Sequence, residues 1–253
     1  MLKAITRAVS RSLADCELTC LPREPIDIDL AVAQHTAYEH ALESLGLRVI
    51  SLPEQPDMPD AVFVEDLLLV FDEIAIITRP GATSRRAECD TLAEAVAPFR
   101  SMQRISEPAT LEGGDVMRIG RDVFVGVSSR TNTAGIDELA GIISAFEYNV
   151  HPVEVRGCLH LKSACCSLED GRILVNRRWI DAAPLREYEL IDVASDEPHA
   201  ANVVRIGTTV LMPAAFPHTQ EIVRRQGLGV CSVNISELMK AEAAITCSSV
   251  IFE

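Results

Sequence analysis

The chain has 253 residues, 48% of them hydrophobic, enough for a sizeable core in one large or two small domains and too apolar for a disordered segment. A formal net charge of -14 repels phosphate backbones, and aromatics at 4% offer few stacking surfaces for bases. Nucleic acid is thus disfavoured as a partner; a small cation suits the charge, although composition alone reads the negative surface as an aid to solubility, and no apolar run approaches the ~20 residues of a membrane span.

In chain order, residues 1–12 carry Lys3, Arg7 and Arg11 with no apolar block behind them and do not read as a secretory signal. A helix is expected over 30–45, stopped by Gly46, with a strand over 47–52. Apolar runs at 67–71 and 74–78 meet at Asp72-Glu73 as a buried hairpin. Ser84 is expected to cap a helix running to Val96. Residues 116–119 and 123–127 read as a second hairpin, and 132–146 as a helix. Residues 164–168 and 172–175 flank Asp170-Gly171, a third hairpin signal. Strands over 203–206 and 209–212 flank Gly207, followed by a helix over 218–226 and a strand over 229–233. Ser236 is expected to cap a short helix, and 248–252 to form the last strand. No linker or low-complexity stretch divides the chain, so residues 1–253 read as a single α/β domain.

A unit of hairpin, helix and strand recurs. Leu18, Glu65, Glu112, His160, Asn202 and Cys247 stand just ahead of successive units, at intervals of about 45 residues, the mark of a ring or solenoid of similar units. If the chain ends meet, such a ring places these positions around one axis. Three of the runs carry chemistry: Leu111-Glu112-Gly113-Gly114-Asp115, His160-Leu161-Lys162-Ser163 and Thr246-Cys247-Ser248-Ser249. A thiol, an imidazole and a carboxylate are the parts of a cysteine hydrolase, with the thiolate as nucleophile and the imidazole as acid and base.

The 8 cysteines, at 16, 20, 89, 158, 165, 166, 231 and 247, form no disulfide framework and read as reduced, which points to the cytoplasm. Cys16 with Cys20, and Cys158 with His160, fall short of a four-ligand metal pattern, so no metal is expected. Without a phosphate loop or dinucleotide motif, no cofactor is expected either.

The chain resembles the dimethylarginine dimethylaminohydrolases in an ordered set of runs. These are Asp60-Ala61-Val62-Phe63-Val64-Glu65-Asp66, Thr78-Arg79-Pro80-Gly81-Ala82 with Ser84-Arg85-Arg86, Thr110-Leu111-Glu112-Gly113-Gly114-Asp115-Val116, Ser129-Arg130-Thr131-Asn132, Leu159-His160-Leu161-Lys162-Ser163, Ala200-Ala201-Asn202, and Ser236-Glu237-Leu238 leading to Thr246-Cys247. The resemblance implies a five-bladed pseudosymmetric α/β propeller of ββαβ units around a central active-site channel. It implies hydrolysis of Nω-methylated or Nω,Nω-dimethylated L-arginine to citrulline and an amine, through a thiouronium on Cys247. His160 would serve as acid and base, and Glu112 would hold the guanidinium and orient His160. Asp66 would hold the other guanidinium edge. Arg85 (or Arg86, one register on) and Arg130 would bind the α-carboxylate, and Asp60 with backbone near Leu18 the α-ammonium. Glu65, Phe63 and the Ala241 backbone would line the site, and 18–23 would form a lid. An arginine deiminase, an amidinotransferase and a non-catalytic binding protein of the same fold stay open, as do a monomer and a homodimer.

Overall fold

The computed structural model describes residues 1–169 and 171–253. These residues form five sheets of three strands. β1 (Lys3–Arg7) and β2 (Arg48–Leu52) are joined by α1 (Ile28–Ser44). β3 (Leu68–Val70) and β4 (Ile74–Ile77) lead through α2 (Cys89–Val96) to β5 (Ser101–Arg104). β6 (Val116–Ile119) and β7 (Asp122–Val127) lead through α3 (Thr133–Ile143) to β8 (Asn149–Glu154). The one-turn α4 (Leu161–Ala164) precedes β9 (Cys165–Glu169), β10 (Arg172–Val175) and β11 (Glu189–Asp192). β12 (Val204–Ile206) and β13 (Thr209–Pro213) lead through α5 (Pro217–Arg225) to β14 (Gly229–Val233), and α6 (Ser236–Met239) precedes β15 (Val250–Phe252).

Each sheet repeats one topology. A first strand runs antiparallel to the middle strand, and the third runs parallel to it. The parallel pair requires a crossover, which four repeats build from an α-helix. The fourth uses only a 3₁₀ turn, Ala183–Leu185, and this accounts for the shorter interval between His160 and Asn202. The first sheet has the order β15-β1-β2, so the last strand completes the sheet that the first began and the ring closes. The turn Val64–Leu67 ahead of β3 touches the turns Gly113–Asp115 and Thr246–Ser248, and α4 touches Gly113–Asp115. The turns beside Glu65, Glu112, His160 and Cys247 therefore meet at the axis, whereas Leu18 stands ahead of α1 and not of a hairpin. The core lies between sheets and helices and is mostly aliphatic.

Local chemistry explains most boundaries. Asp27 caps α1 by accepting the Leu30 N–H at 3.0 Å, two residues earlier than expected, and Gly46 at φ +90° ends it. Asn132 caps α3 through the Gly135 N–H at 2.8 Å. Two expected caps are corrected. Ser84 lies inside a 3₁₀ turn, Thr83–Glu88, and its hydroxyl donates to Glu17 instead. Ser236 is the first residue of α6, and its hydroxyl accepts from Gln34. The last strand begins at Val250, because Thr246–Ser248 winds into a 3₁₀ turn that carries Cys247. Of the expected third hairpin turn, Gly171 adopts φ +76°, and Asp170 lies outside the described residues. Among the described residues no helix is long and apolar enough to cross a membrane.

Candidate active site

Cys247, His160, Glu112, Asp66, Asp60, Phe63, Arg85, Arg130 and Ala241 line one narrow cavity, with room for about 30 Å³ of water-sized molecules. Its floor is a chain of charges. His160 stands just ahead of α4 in extended backbone, and its Nε2 lies 2.8 Å from Glu112 Oε2. Its Nδ1 lies 4.0 Å from Asp66 Oδ1. Burial alone would lower the imidazole pKa, but Asp66, Asp115 and the bonded Glu112 outweigh it and raise the pKa to about 9. His160 is therefore an imidazolium at neutral pH.

Glu112 is fully buried, which by itself raises its pKa, yet the His160 hydrogen bond and the charges of His160 and Arg85 together hold its carboxyl below the usual range. Its second oxygen accepts the Gly81 N–H at 3.0 Å and lies 3.4 Å from an Arg130 nitrogen. Asp66 is likewise held ionised against burial, by His160 and Arg85. The Cys247 thiol goes the other way: burial, then Asp66 and Glu65, push its pKa far up. The cavity thus holds both a neutral thiol and a charged imidazole, and the Cys247 Sγ accepts the Ala244 N–H at 3.4 Å.

Glycine is required where the backbone passes this cluster. A Cβ on Gly114 would lie 2.6 Å from His160 Nδ1 and 2.8 Å from Asp66 Oδ1, while its N–H donates to Asp66 at 3.1 Å. Gly114→Ala is expected to displace the imidazole and lower kcat by roughly 100-fold in a steady-state citrulline assay. Activity within about threefold of the unsubstituted protein would show that the close approach does not matter.

Two expected site residues, Arg85 and Glu65, have other partners in the structure. Arg85 lines the cavity, but its guanidinium is engaged by Asp66 at 2.6 Å, by Glu88 at 3.1 Å and by the carbonyls of Asp60 and Phe63. It is built into the cavity wall, with its donors shared among these partners. Removing it leaves two buried acids facing each other, so Arg85→Ala is expected to cost about 3–5 kcal/mol of stability. Thermal unfolding checks this; an unchanged midpoint together with weak substrate binding would favour the expected α-carboxylate role. Glu65 turns its carboxylate away from this cavity, to Lys162 Nζ and Thr246 Oγ1, both at 2.5 Å. Backbone beside Leu18 does reach the site: Glu17 lines the cavity, and its N–H donates to Asp60 at 3.1 Å.

The lid segment is tied down across the site. Glu242 accepts the N–H groups of Thr19, at 2.8 Å, and of Cys20 and Leu21, and Arg130 donates to the Thr19 hydroxyl at 2.8 Å. Neither Glu242 nor Lys162 carries a sequence signal of its own for this role, although Lys162 stands inside the run Leu159-His160-Leu161-Lys162-Ser163. Among the described residues, Asp66, Glu112 and His160 are the one group close enough to share a metal ion. Here Arg85 occupies Asp66, and Glu112 holds the imidazole.

A five-bladed ring whose axis gathers a cysteine, a charged imidazole and two ionised carboxylates defines a cysteine hydrolase site for a flat cation. The comparisons give the class a family. The model described as N,N dimethylarginine dimethylhydrolase, eukaryotic, matches residues 22–240. The chain is 39% identical to an N(G),N(G)-dimethylarginine dimethylaminohydrolase of Streptomyces coelicolor, over 98% of this chain and 96% of that one. It is 35% identical to that of Pseudomonas aeruginosa, over 98% of both. A solved structure from Pseudomonas aeruginosa, a cysteine-to-serine variant with citrulline, superposes with a TM-score of 0.95 at 34% identity, covering all of both chains. So does a histidine-to-glycine variant of a dimethylarginine dimethylaminohydrolase, as an adduct with S-methyl-L-thiocitrulline. This chain belongs to the dimethylarginine dimethylaminohydrolase family.

Proposed function

We propose that this protein hydrolyses Nω-methylated and Nω,Nω-dimethylated L-arginine to L-citrulline, releasing methylamine or dimethylamine. The observation that carries the reading is the buried pairing of the His160 imidazolium with Glu112, beside Asp66 and a neutral Cys247 thiol in one cavity. A guanidinium matches this arrangement. Its positive plane lies against Glu112 and Asp66, and its charge stabilises the Cys247 thiolate, whose proton leaves to solvent as the cation binds. His160 cannot take that proton, because it already carries one.

The thiolate attacks the guanidinium carbon, and His160 gives its proton to the departing amine. The covalent thiouronium then waits for water. Neutral His160 takes a proton from that water, the carbonyl forms, and the thiol leaves as citrulline is released. Asp60 and the lid backbone recognise the α-ammonium, and Arg130 the α-carboxylate. Phe63 and Ala241 flank the aliphatic chain. The free state of all eight cysteines supports a reducing compartment, which we take to be the cytoplasm.

Amine profiling tests the reading. Citrulline should appear with equimolar methylamine or dimethylamine from the methylated arginines. Ammonia from arginine as the main product would instead make the protein a deiminase.

A further inference from the structure

The recurrence places Glu65, Glu112, His160, Asn202 and Cys247 at the same point of five repeats. The proposed chemistry uses Glu112, His160 and Cys247. Asn202 and Glu65 meet instead in a closed ring of five hydrogen bonds on the far side of the nucleophile's turn. Asn202 Oδ1 accepts the Thr246 N–H at 2.9 Å, and its Nδ2 donates to Thr246 Oγ1 at 3.0 Å and to the Lys162 carbonyl at 2.9 Å. Thr246 donates onward to Glu65, and Lys162 Nζ closes the ring on the other Glu65 oxygen.

The two turns that hold the reacting groups are too short to orient themselves. Cys247 rides on a three-residue 3₁₀ turn and His160 stands at the head of the four-residue α4. One turn of helix has almost no stability of its own, and each end leaves backbone groups unpaired. Neither turn has a side-chain cap from its own N-cap residue, Ile245 or His160. One amide, only 2% exposed, serves both: it caps the start of the cysteine turn and satisfies a carbonyl in the histidine turn.

We infer that Asn202 is the positioning residue that sets the Cys247 thiol against His160, and that Thr246 passes the constraint through its hydroxyl to Glu65 and Lys162. The inference rests on Cys247 and His160 as nucleophile and acid. Asn202 does not line the cavity that holds Cys247 and His160. Its loss should misplace the attack without weakening the binding.

The test compares N202A, N202D, Thr246→Val and Thr246→Ser in two assays. With dimethylarginine, N202A should lose about 100-fold in kcat with KM and citrulline affinity within about threefold. N202D keeps the acceptor for the Thr246 N–H but donates to neither Thr246 nor Lys162, and should lose about 10-fold. Thr246→Val should fall in the same way, and Thr246→Ser should restore the activity. The second assay does not depend on the methylarginine reading: 2-chloroacetamidine, a small amidinium that alkylates thiols, should inactivate N202A about 100-fold more slowly at saturation, with its half-saturating concentration unchanged. If the unsubstituted protein is alkylated at Cys247 but does not turn over methylarginine, the substrate reading fails and the positioning role is judged on this assay alone. Should N202A not fold, N202D and the threonine pair carry the same comparison. Maximal rates within about threefold of the unsubstituted protein in the variants, or a rise in KM with kcat held, would overturn the inference.

Discussion

Cys247→Ser should lower kcat by about 10,000-fold or more while citrulline still binds with an affinity within a few-fold of the unsubstituted protein. The magnitude follows from where protons sit. A neighbouring guanidinium offsets the Asp66 and Glu65 charges that raise the Cys247 pKa, and a thiol is intrinsically far more acidic than a hydroxyl. A hydroxyl starts far higher and needs a general base. His160 is already protonated and hydrogen-bonded to Glu112, so it cannot serve. Asp66 is held ionised by His160 and Arg85 and is a weak base for the same reason. Isothermal titration with citrulline and a citrulline assay separate binding from turnover. A serine variant with substantial turnover would remove Cys247 from the chemistry.

His160→Ala should lower kcat by about 100- to 10,000-fold, because dimethylamine cannot leave without a proton. Its effect should depend on the leaving group. A substrate that expels a thiolate, such as S-methyl-thiocitrulline, needs no acid in the first step and should still acylate Cys247. The second step still needs a base for water, so the adduct should accumulate and be visible by mass spectrometry. The pH dependence has a defined sign. His160 acts in its charged form, its pKa is raised to about 9, and kcat/KM should therefore fall as pH rises through about 9. Titration of the imidazole by NMR in Cys247→Ser should find the same value. The shift also links to stability: the charged His160 stabilises the fold fully below its ordinary value of 6.5, and the contribution is lost as pH rises through about 9.

The period of about 45 residues predicts a ring or solenoid that gathers Glu112, His160 and Cys247, while the five blades and the roles of these residues follow from the ordered family motifs. Repeats that each place one polar residue ahead of a hairpin leave a residue-level trace even where each motif is ordinary alone. What escaped the sequence was orientation within single turns. Glu65 and Asp66 are neighbours in one 3₁₀ turn and face opposite sides of the axis, and no periodicity separates adjacent carboxylates. Arg85 carries a charge that suits a substrate carboxylate, yet Glu88, three residues on, claims it. The third strand of the second sheet, Ser101–Arg104, is exposed along its whole length and lacks the apolar alternation that marks a strand. Ser84 and Ser236 looked like caps because serine favours that position, but long-range partners at Glu17 and Gln34 override local preference.

The covalent step is the point on which the rest depends. Dimethylarginine turnover quenched with acid after a few milliseconds, followed by digestion and mass spectrometry of the peptide containing Cys247, tests it most directly. The account predicts a transient adduct on that cysteine equal to the substrate less dimethylamine, decaying at the rate at which citrulline is released. Full turnover with no such adduct on Cys247, or with the adduct on a different cysteine, would contradict it.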